Sequence, residues 1–472
     1  MERVGPQDAS FFYLETPAVH QHVGGVQILD PSTCSAGEPS IDELRRLILS
    51  RLHLAPRFRQ RVVFPPVPLS RPRWVDDERF DPDFHIRRAA LPSPGGRRQL
   101  TDYVQRVISR PLDRSKPLWE LYLIEGLEGG RAAILTKIHH AMVDGVSAMD
   151  IATVLFDTTP NLHILEPPPW VPEPLPARAE LLREAVRDAV ADPLGAVAEA
   201  IGRVVTAPSR AAGQVREVAA GVREILGAGT PPDSPLNQRV GPNRRFAMAE
   251  APVSDFRAVK RALGGTVNDV VLATVAGALH RLYRHRRLPV RGASLRAMVP
   301  ISVRGKDQRD GLGNRLSTLF VDLPIGRMGP RRRLALIRET TRNLKESRQA
   351  VGAEFFMNIG LWAPPTIHAT AARLAARTRM FNLVVSNVPG PQIPLYICGA
   401  RLLALYPIMP LGETVGLSVA VTSLGGTMAF GLVGDWDALP DIEVLADGIR
   451  ESIGELKEAA AGRRRGAAAG AA

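Results

Sequence analysis

The chain has 472 residues, of which 45% are apolar and 23% charged. That length predicts two or three domains with sizeable cores, and the composition excludes both a largely disordered chain and a polytopic membrane protein. Sixty basic residues against 48 acidic ones leave a formal charge of +12, which raises the question of nucleic acid. Only six of the basic residues are lysine, aromatics are 5%, and there is neither zinc-finger spacing nor an aromatic stacking motif. The charge therefore reads as arginine-rich amino-acid usage without a nucleic-acid partner.

From the N-terminus, MERVGPQDASFFYLETP carries acids and a proline where the apolar stretch of a secretory signal belongs. Val23–Leu29 reads as a strand. Ile41–Leu52 reads as a helix, with Ser40 as N-cap and Glu43 closing a capping box. Gln99–Ile108 is a second helix. Leu118–Ile124 and Ala132–Ile138 read as an antiparallel hairpin.

Composition then shifts. Glu166–Pro176 holds six prolines and predicts a linker. Residues 177–227 are helical in pattern, and the amphipathic Ala177–Ala189 is expected to pack across both flanking domains, with a lipid surface as the alternative. A second proline-rich boundary follows at Gly229–Pro242. Beyond it, Val267–Tyr283 predicts a helix preceded by Thr266. Leu295–Ile301, Leu316–Leu323 and Phe381–Asn387 predict strands. Thr414–Gly434 is uncharged and long enough to span a bilayer, but it alternates apolar and small residues around Gly425-Gly426, the pattern of a hairpin. The organisation expected is α/β, with a domain at 1–165, a linker at 166–242, a second domain at 243–460 and a disordered tail at 461–472. The two cysteines, Cys34 and Cys398, do not form a disulfide framework or a cysteine zinc site. A reduced, cytoplasmic protein is expected.

The chemistry concentrates at His139-His140-Ala-Met-Val-Asp144-Gly145, between the strand AAILTKI and an apolar helix expected over Val146–Phe156. A histidine at a strand end is a competent general base near neutrality. Asp144 is placed to hold the loop, by capping a helix or pairing with an arginine, and Gly145 allows close backbone approach. Three other readings stay open on the motif alone. A metal site lacks a third ligand motif. A serine triad lacks a G-x-S-x-G elbow. Two structurally satisfied histidines are the plain alternative.

HHxxxDG after a strand resembles the signature of CoA-dependent acyltransferases of the chloramphenicol-acetyltransferase type and of condensation domains. PQDASFFYLETPAVHQHVGG, Pro56–Arg61, Trp74–Arg88, Arg110–Glu120, Gly264–Leu279, Val299–Arg304, Gly311–Ser317 and Ser386–Pro391 are similar to segments of the bacterial wax ester synthase/diacylglycerol acyltransferase family, in family order. The resemblance implies two chloramphenicol-acetyltransferase-like domains joined by a helical linker. It implies transfer of a long-chain acyl group from acyl-CoA to diacylglycerol, or to a fatty alcohol to give a wax ester. His140 would be the general base, with His139, Asp144 and Gly145 supporting the loop. Asn268 would be a polar group near the tunnel or a capping residue at the helix start. Asp269, Ser386, Asn387 and Arg304 would face substrate, with a structural place near the helix N-terminus as the other reading of Asp269. Pro117-Leu118-Trp119 is expected to pack behind the catalytic hairpin. Acyl-CoA would be a co-substrate, with no cofactor and no metal. Contact with the inner membrane face or lipid droplets would be peripheral, and oligomeric state stays open. Two competing functions are a condensation-type enzyme fed by a carrier-protein thioester and a non-catalytic, lipid-droplet-associated paralogue. The cluster Arg281, Arg284, Arg286, Arg287, Arg291 and Arg296 has no acid within it. It is either a CoA or lipid contact or a solvated helix end.

Overall fold

The computed structural model describes residues 1–34, 37–67, 70–143, 154–188, 229–302, 316–346, 369–370, 372–373 and 378–469. Helix α1 (Pro6–Leu14) precedes strand β1 (His22–Asp30) and helix α2 (Ile41–Arg51). The Ser40 hydroxyl accepts the Glu43 amide at 3.1 Å and the Glu43 carboxylate accepts the Ser40 amide, so the expected capping box is formed. β2 (Ile86–Ala90), α3 (Arg97–Ile108), β3 (Trp119–Leu127), β4 (Arg131–His139) and the one-turn helix α4 (His140–Val143) follow. Eight of the nine β4 residues are buried, which is why its sequence reads as a near-continuous apolar run.

The second half contains β5 (Arg244–Pro252), α5 (Val253–Leu263), α6 (Val267–His285), β6 (Ser294–Ser302), β7 (Leu316–Pro324) and α7 (Pro330–Glu346). It continues with β8 (Leu383–Pro389), β9 (Tyr396–Ile397), β10 (Ala400–Ile408), β11 (Leu417–Leu424), β12 (Thr427–Asp435) and α8 (Ile442–Ala469). Gly425 and Gly426 take φ of 54° and 90°. They make the two-residue turn that closes the β11–β12 hairpin, the conformation glycine adopts without cost. Among the described residues no single helix is long and apolar enough to cross a membrane.

Two six-stranded sheets result, in the orders β9-β10-β1-β4-β3-β2 and β7-β6-β8-β11-β12-β5. Both mix parallel and antiparallel neighbours: β2 runs parallel to β3, and β8 parallel to β6 and β11. The division of the chain at residue 243 does not match the division into sheets. β9 and β10 come from the second half, yet β10 pairs with β1 of the first, Ile408 opposite Gly24 and Leu402 opposite Leu29. One apolar core joins the halves, with Val26 and Leu135 packed together with Phe246, Met248, Tyr406 and Val433. The approach is close enough that a Cβ on Gly431 would sit 1.8 Å from the Pro407 carbonyl oxygen.

Three expectations differ from the structure. The described part of the connector, helical over 178–188, seats on the first half: Asp188 pairs with Arg73 at 2.6 Å and with Arg3 at 3.5 Å. Leu181, Ala185 and Asp188 are its buried residues; residues 189–228 lie outside the described range. The last helix runs to Ala469, into the tail expected to be disordered, as its alanines and arginines favour. The arginine cluster is partly neutralised by acids distant in sequence. Arg281 binds Glu451 and Glu455, Arg286 binds Asp441, and Arg296 binds Asp322 at 2.9 Å.

Candidate active site

β4 delivers the two histidines. The His139 amide donates to the Leu118 carbonyl at 2.9 Å, and the His140 amide donates to the Gln21 carbonyl at 2.8 Å. The end of the strand is thereby held from both sides before the chain turns into α4. Leu118 belongs to the Pro117-Leu118-Trp119 segment, whose packing role is visible. Trp119 is buried, stacks on His85 with ring centroids 4.5 Å apart, and donates its indole N–H to the Phe58 carbonyl.

His139 is 2% exposed. Its Nδ1 accepts the Ala141 amide at 3.2 Å. A neutral ring accepting at Nδ1 carries its hydrogen on Nε2, and Nε2 lies 3.4 Å from a Glu15 carboxylate oxygen. Glu15 also accepts the Gln21 amide at 2.8 Å and pairs with Arg114. Burial alone would raise the Glu15 pKa. Its contacts with His139 and Arg114 and the bond from the Gln21 amide outweigh that and hold the carboxyl well below the usual range. Glu15 therefore lies against the Nε2 side of His139, whose Nδ1 holds the Ala141 amide in the first turn of α4.

His140 stacks on Phe11, with centroids 4.0 Å apart and planes at 22°, and His139 stacks on Phe12 at 4.4 Å. Burial pushes the His140 pKa down to about 4, so its imidazole is uncharged at neutral pH. Its buried Nδ1 has no hydrogen-bond partner among the described residues. His22 is the register partner of His139, and His20 stacks on His22 at 5.3 Å. Burial lowers the pKa of both. Two residues upstream of His139, the buried Lys137 ammonium donates to the Val107 and Arg110 carbonyls, tying the end of α3 to β4. Burial lowers its pKa to about 8.

A second cluster lies at the start of α6. The Asn387 amide donates to Asn268 Oδ1 at 3.3 Å, which brings together two of the expected site residues. Of the two readings of Asp269, the structure displays the one at the helix start. One carboxylate oxygen accepts the Thr266 amide at 2.7 Å, the other accepts the Thr341 hydroxyl at 2.7 Å, and the residue is 4% exposed. It caps α6 and ties it to α7. Ser386 is buried on β8. Asp144, Gly145, Arg304 and most of Val146–Phe156 lie outside the described residues.

The two clusters sit along one route of strand pairings. His22 lies opposite His139, and Gly24 of the same strand lies opposite Ile408. The next residue, Met409, accepts the Ser418 hydroxyl at 3.1 Å. β11 then places Ala420 and Val421 opposite Ser386 and Asn387. A groove of about 670 Å³ also opens along the seam, with Arg97, Leu127, Arg131, Glu250 and Tyr406 in its walls. It lies at the other end of the β3–β4 hairpin from His139.

Sequence reasoning gave no role to Phe11, Phe12, Glu15, His22 or Arg114. Two signals were available: a lone acid after an aromatic pair, and the alternating His20-Gln21-His22 in a segment matching the same family as HHxxxDG. Replacing Glu15 by Gln should lower kcat about 10- to 100-fold with little change in KM, because the effect acts through placement of the His140 loop. Steady-state kinetics beside a thermal melt checks this. An unchanged kcat, or a loss explained by unfolding, would remove Glu15 from the site.

Two family models match the chain: the wax ester synthase/diacylglycerol acyltransferase catalytic domain over residues 4–271, and the corresponding C-terminal domain over residues 312–457. A Mycobacterium tuberculosis protein bearing a diacylglycerol O-acyltransferase name is 33% identical, covering 97% of this chain and 90% of that protein. Another from the same species, tgs2, is 32% identical over 97% of this chain and 99% of its own length. Among solved structures, the wax ester synthase/diacylglycerol acyltransferase from Marinobacter aquaeolei VT8 superposes with a TM-score of 0.69 at 30% identity, covering 97% of this chain and all of that one. The first condensation domain of the CDA synthetase shares the fold at 17% identity, with a TM-score of 0.55, covering 97% of this chain and 96% of its own. With a catalytic-domain model matching more than half its length and relatives aligned nearly end to end, the chain belongs to the wax ester synthase/diacylglycerol acyltransferase family of acyl-CoA-dependent acyltransferases.

Proposed function

We propose that this protein transfers a long-chain acyl group from acyl-CoA to the free hydroxyl of diacylglycerol, giving triacylglycerol, and accepts fatty alcohols as a second acceptor class. The observation that carries the reading is the uncharged His140 imidazole with its unpartnered Nδ1, held at the end of β4. That group takes the proton from the acceptor hydroxyl as the oxygen attacks the thioester carbonyl. Collapse of the tetrahedral adduct breaks the carbon–sulfur bond. The leaving CoA thiolate then takes the proton from His140, so no acyl-enzyme is needed.

Asn268 is the residue for the developing oxyanion. Its Oδ1 is occupied by the Asn387 amide, which orients its own amide hydrogens elsewhere as donors. His139 supports the catalytic loop, with Asp144 and Gly145 as its further elements. Ser386, Asn387 and Arg304 line the substrate path. Acyl-CoA is the co-substrate, and the reaction needs no cofactor or metal. The protein works in the cytoplasm in peripheral contact with the inner membrane face or lipid droplets, where its acceptors dissolve.

Incubating the purified protein with labelled palmitoyl-CoA and, separately, diacylglycerol and hexadecanol should release CoA. The expected products are labelled triacylglycerol in the first case and wax ester in the second. Absence of both products would overturn the proposal, as would turnover seen only with a carrier-protein thioester.

A further inference from the structure

Half of the arginine cluster that the linear sequence concentrates between 281 and 296 is neutralised in the fold. Arg281, Arg286 and Arg296 are neutralised by Glu451, Glu455, Asp441 and Asp322. The stretch from Arg327 to Lys345 behaves differently. Two of its arginines turn inward: Arg333 is 4% exposed and donates to the Pro324 and Gly326 carbonyls, and Arg338 donates to the Leu263 carbonyl. Arg327, Arg331, Arg332, Arg342 and Lys345 are exposed, and none of them pairs with an acid among the described residues.

The positions form one surface. Exposed residues of α7 recur at 331, 332, 335, 336, 339, 342 and 343, the spacing of a single helical face. Leu336, 37% exposed, sits among these cations, and Glu339 is the acid exposed on that face. The face also extends beyond α7. The Arg338 bond to Leu263 brings the end of α5 alongside, where Lys260 and Arg261 are exposed, and Arg331 donates to the Ala459 carbonyl of α8.

We infer that this outer face of α7, with the adjoining end of α5, docks on an anionic lipid bilayer. A row of unneutralised cations around one apolar side chain matches a surface of phosphate headgroups over hydrocarbon. The position is useful for the reaction. On the inner side of the same helix, Thr341 holds Asp269, the neighbour of Asn268. One helix therefore separates the docking face from the second cluster of the site. The inference rests on the diacylglycerol reading above, because an acceptor dissolved in a bilayer must be collected from its surface.

The test uses the full-length protein and sedimentation with phosphatidylcholine vesicles made with or without phosphatidylglycerol. Binding should require phosphatidylglycerol and weaken as salt is raised. The variant R332E/R342E/K345E should lose on the order of 100-fold in vesicle affinity, at roughly five-fold or more per cation. It should turn over detergent-dispersed diacylglycerol at the wild-type rate. R284E/R287E, altered at the far end of α6, should bind vesicles as the wild type does.

Unchanged vesicle binding by the triple variant would overturn the inference, as would an equal loss in R284E/R287E. A raised KM for acyl-CoA in detergent would assign the cations to CoA phosphates. Displacement of the protein from vesicles by a stoichiometric oligonucleotide would assign them to nucleic acid. If no triacylglycerol forms in detergent with the wild type, the acyl-acceptor reading fails by itself while the vesicle result still judges the face.

Discussion

Replacing His140 by alanine is expected to lower kcat by about 10²- to 10⁴-fold, the usual contribution of a positioned general base. The folded structure should persist, since the His140 backbone bond to Gln21 does not involve the ring. Phe11 loses its stacking partner, so a small drop in thermal stability accompanies the change. The pH profile carries a second part of the expectation. Burial holds the His140 pKa at about 4, below the ordinary imidazole value of about 6.5. The neutral, proton-accepting form is the one present above the folded pKa. The acid limb of kcat/KM should therefore fall near pH 4, with activity nearly flat from pH 5 to 7. A limb at 6.5 would mean that the base is exposed or is a different group. Full activity in the alanine variant would end the assignment.

Gly431→Ala should be the most destabilising single-atom addition at the seam, costing about 3 kcal/mol or more. The added Cβ would lie 1.8 Å from the Pro407 carbonyl oxygen and 2.9 Å from its carbon. Both are backbone atoms of β10, which cannot rotate away as a side chain does. Relief requires the sheets to separate, and the same strands link the His139 end of the site to Asn387. Activity should fall together with stability. Gly454→Ala is the matching control: nothing lies within 4 Å of its added Cβ, and in a helix the change should be neutral or slightly stabilising. Denaturant unfolding of both variants checks this. Equal midpoints for Gly431→Ala and the wild type would mean the halves pack more loosely than described.

Local patterns proved legible where local forces decide the outcome. Ser40 with Glu43, and Gly425 with Gly426, encode a cap and a turn within a few residues, and both appear as read. His139 and His140 were readable because strand, motif and spacing coincide. What stayed hidden depends on partners distant in the chain. Glu15 and His139 are 124 positions apart in the sequence, and no pattern in either segment announces the contact. Arg281, Arg286 and Arg296 read as part of an acid-free cluster because their counter-charges, Glu451, Glu455, Asp441 and Asp322, come from distant segments. Residues 400–408 have the alternation of a strand, but alternation does not say which sheet the strand joins. The answer lies in Gly25, where a Cβ would meet Leu405 and Tyr406 of β10, while its neighbour Gly24 leaves room for Thr136 of β4. Asp269 allows two readings in the sequence for a related reason. A carboxylate near a helix start suits either a ligand or a cap, and the Thr341 hydroxyl that occupies its second oxygen comes from another helix.

The crossing of β10 into the first sheet has a consequence for how the protein is made. Until residue 408 has left the ribosome, β1 has β4 on one side and no strand on the other. For most of synthesis the catalytic sheet therefore presents an open edge, a template for pairing with another chain. The histidine-bearing half is not a separable enzyme. Expressed alone as residues 1–243, it would carry every member of the His139–Glu15 cluster and still lack the strand that closes its sheet.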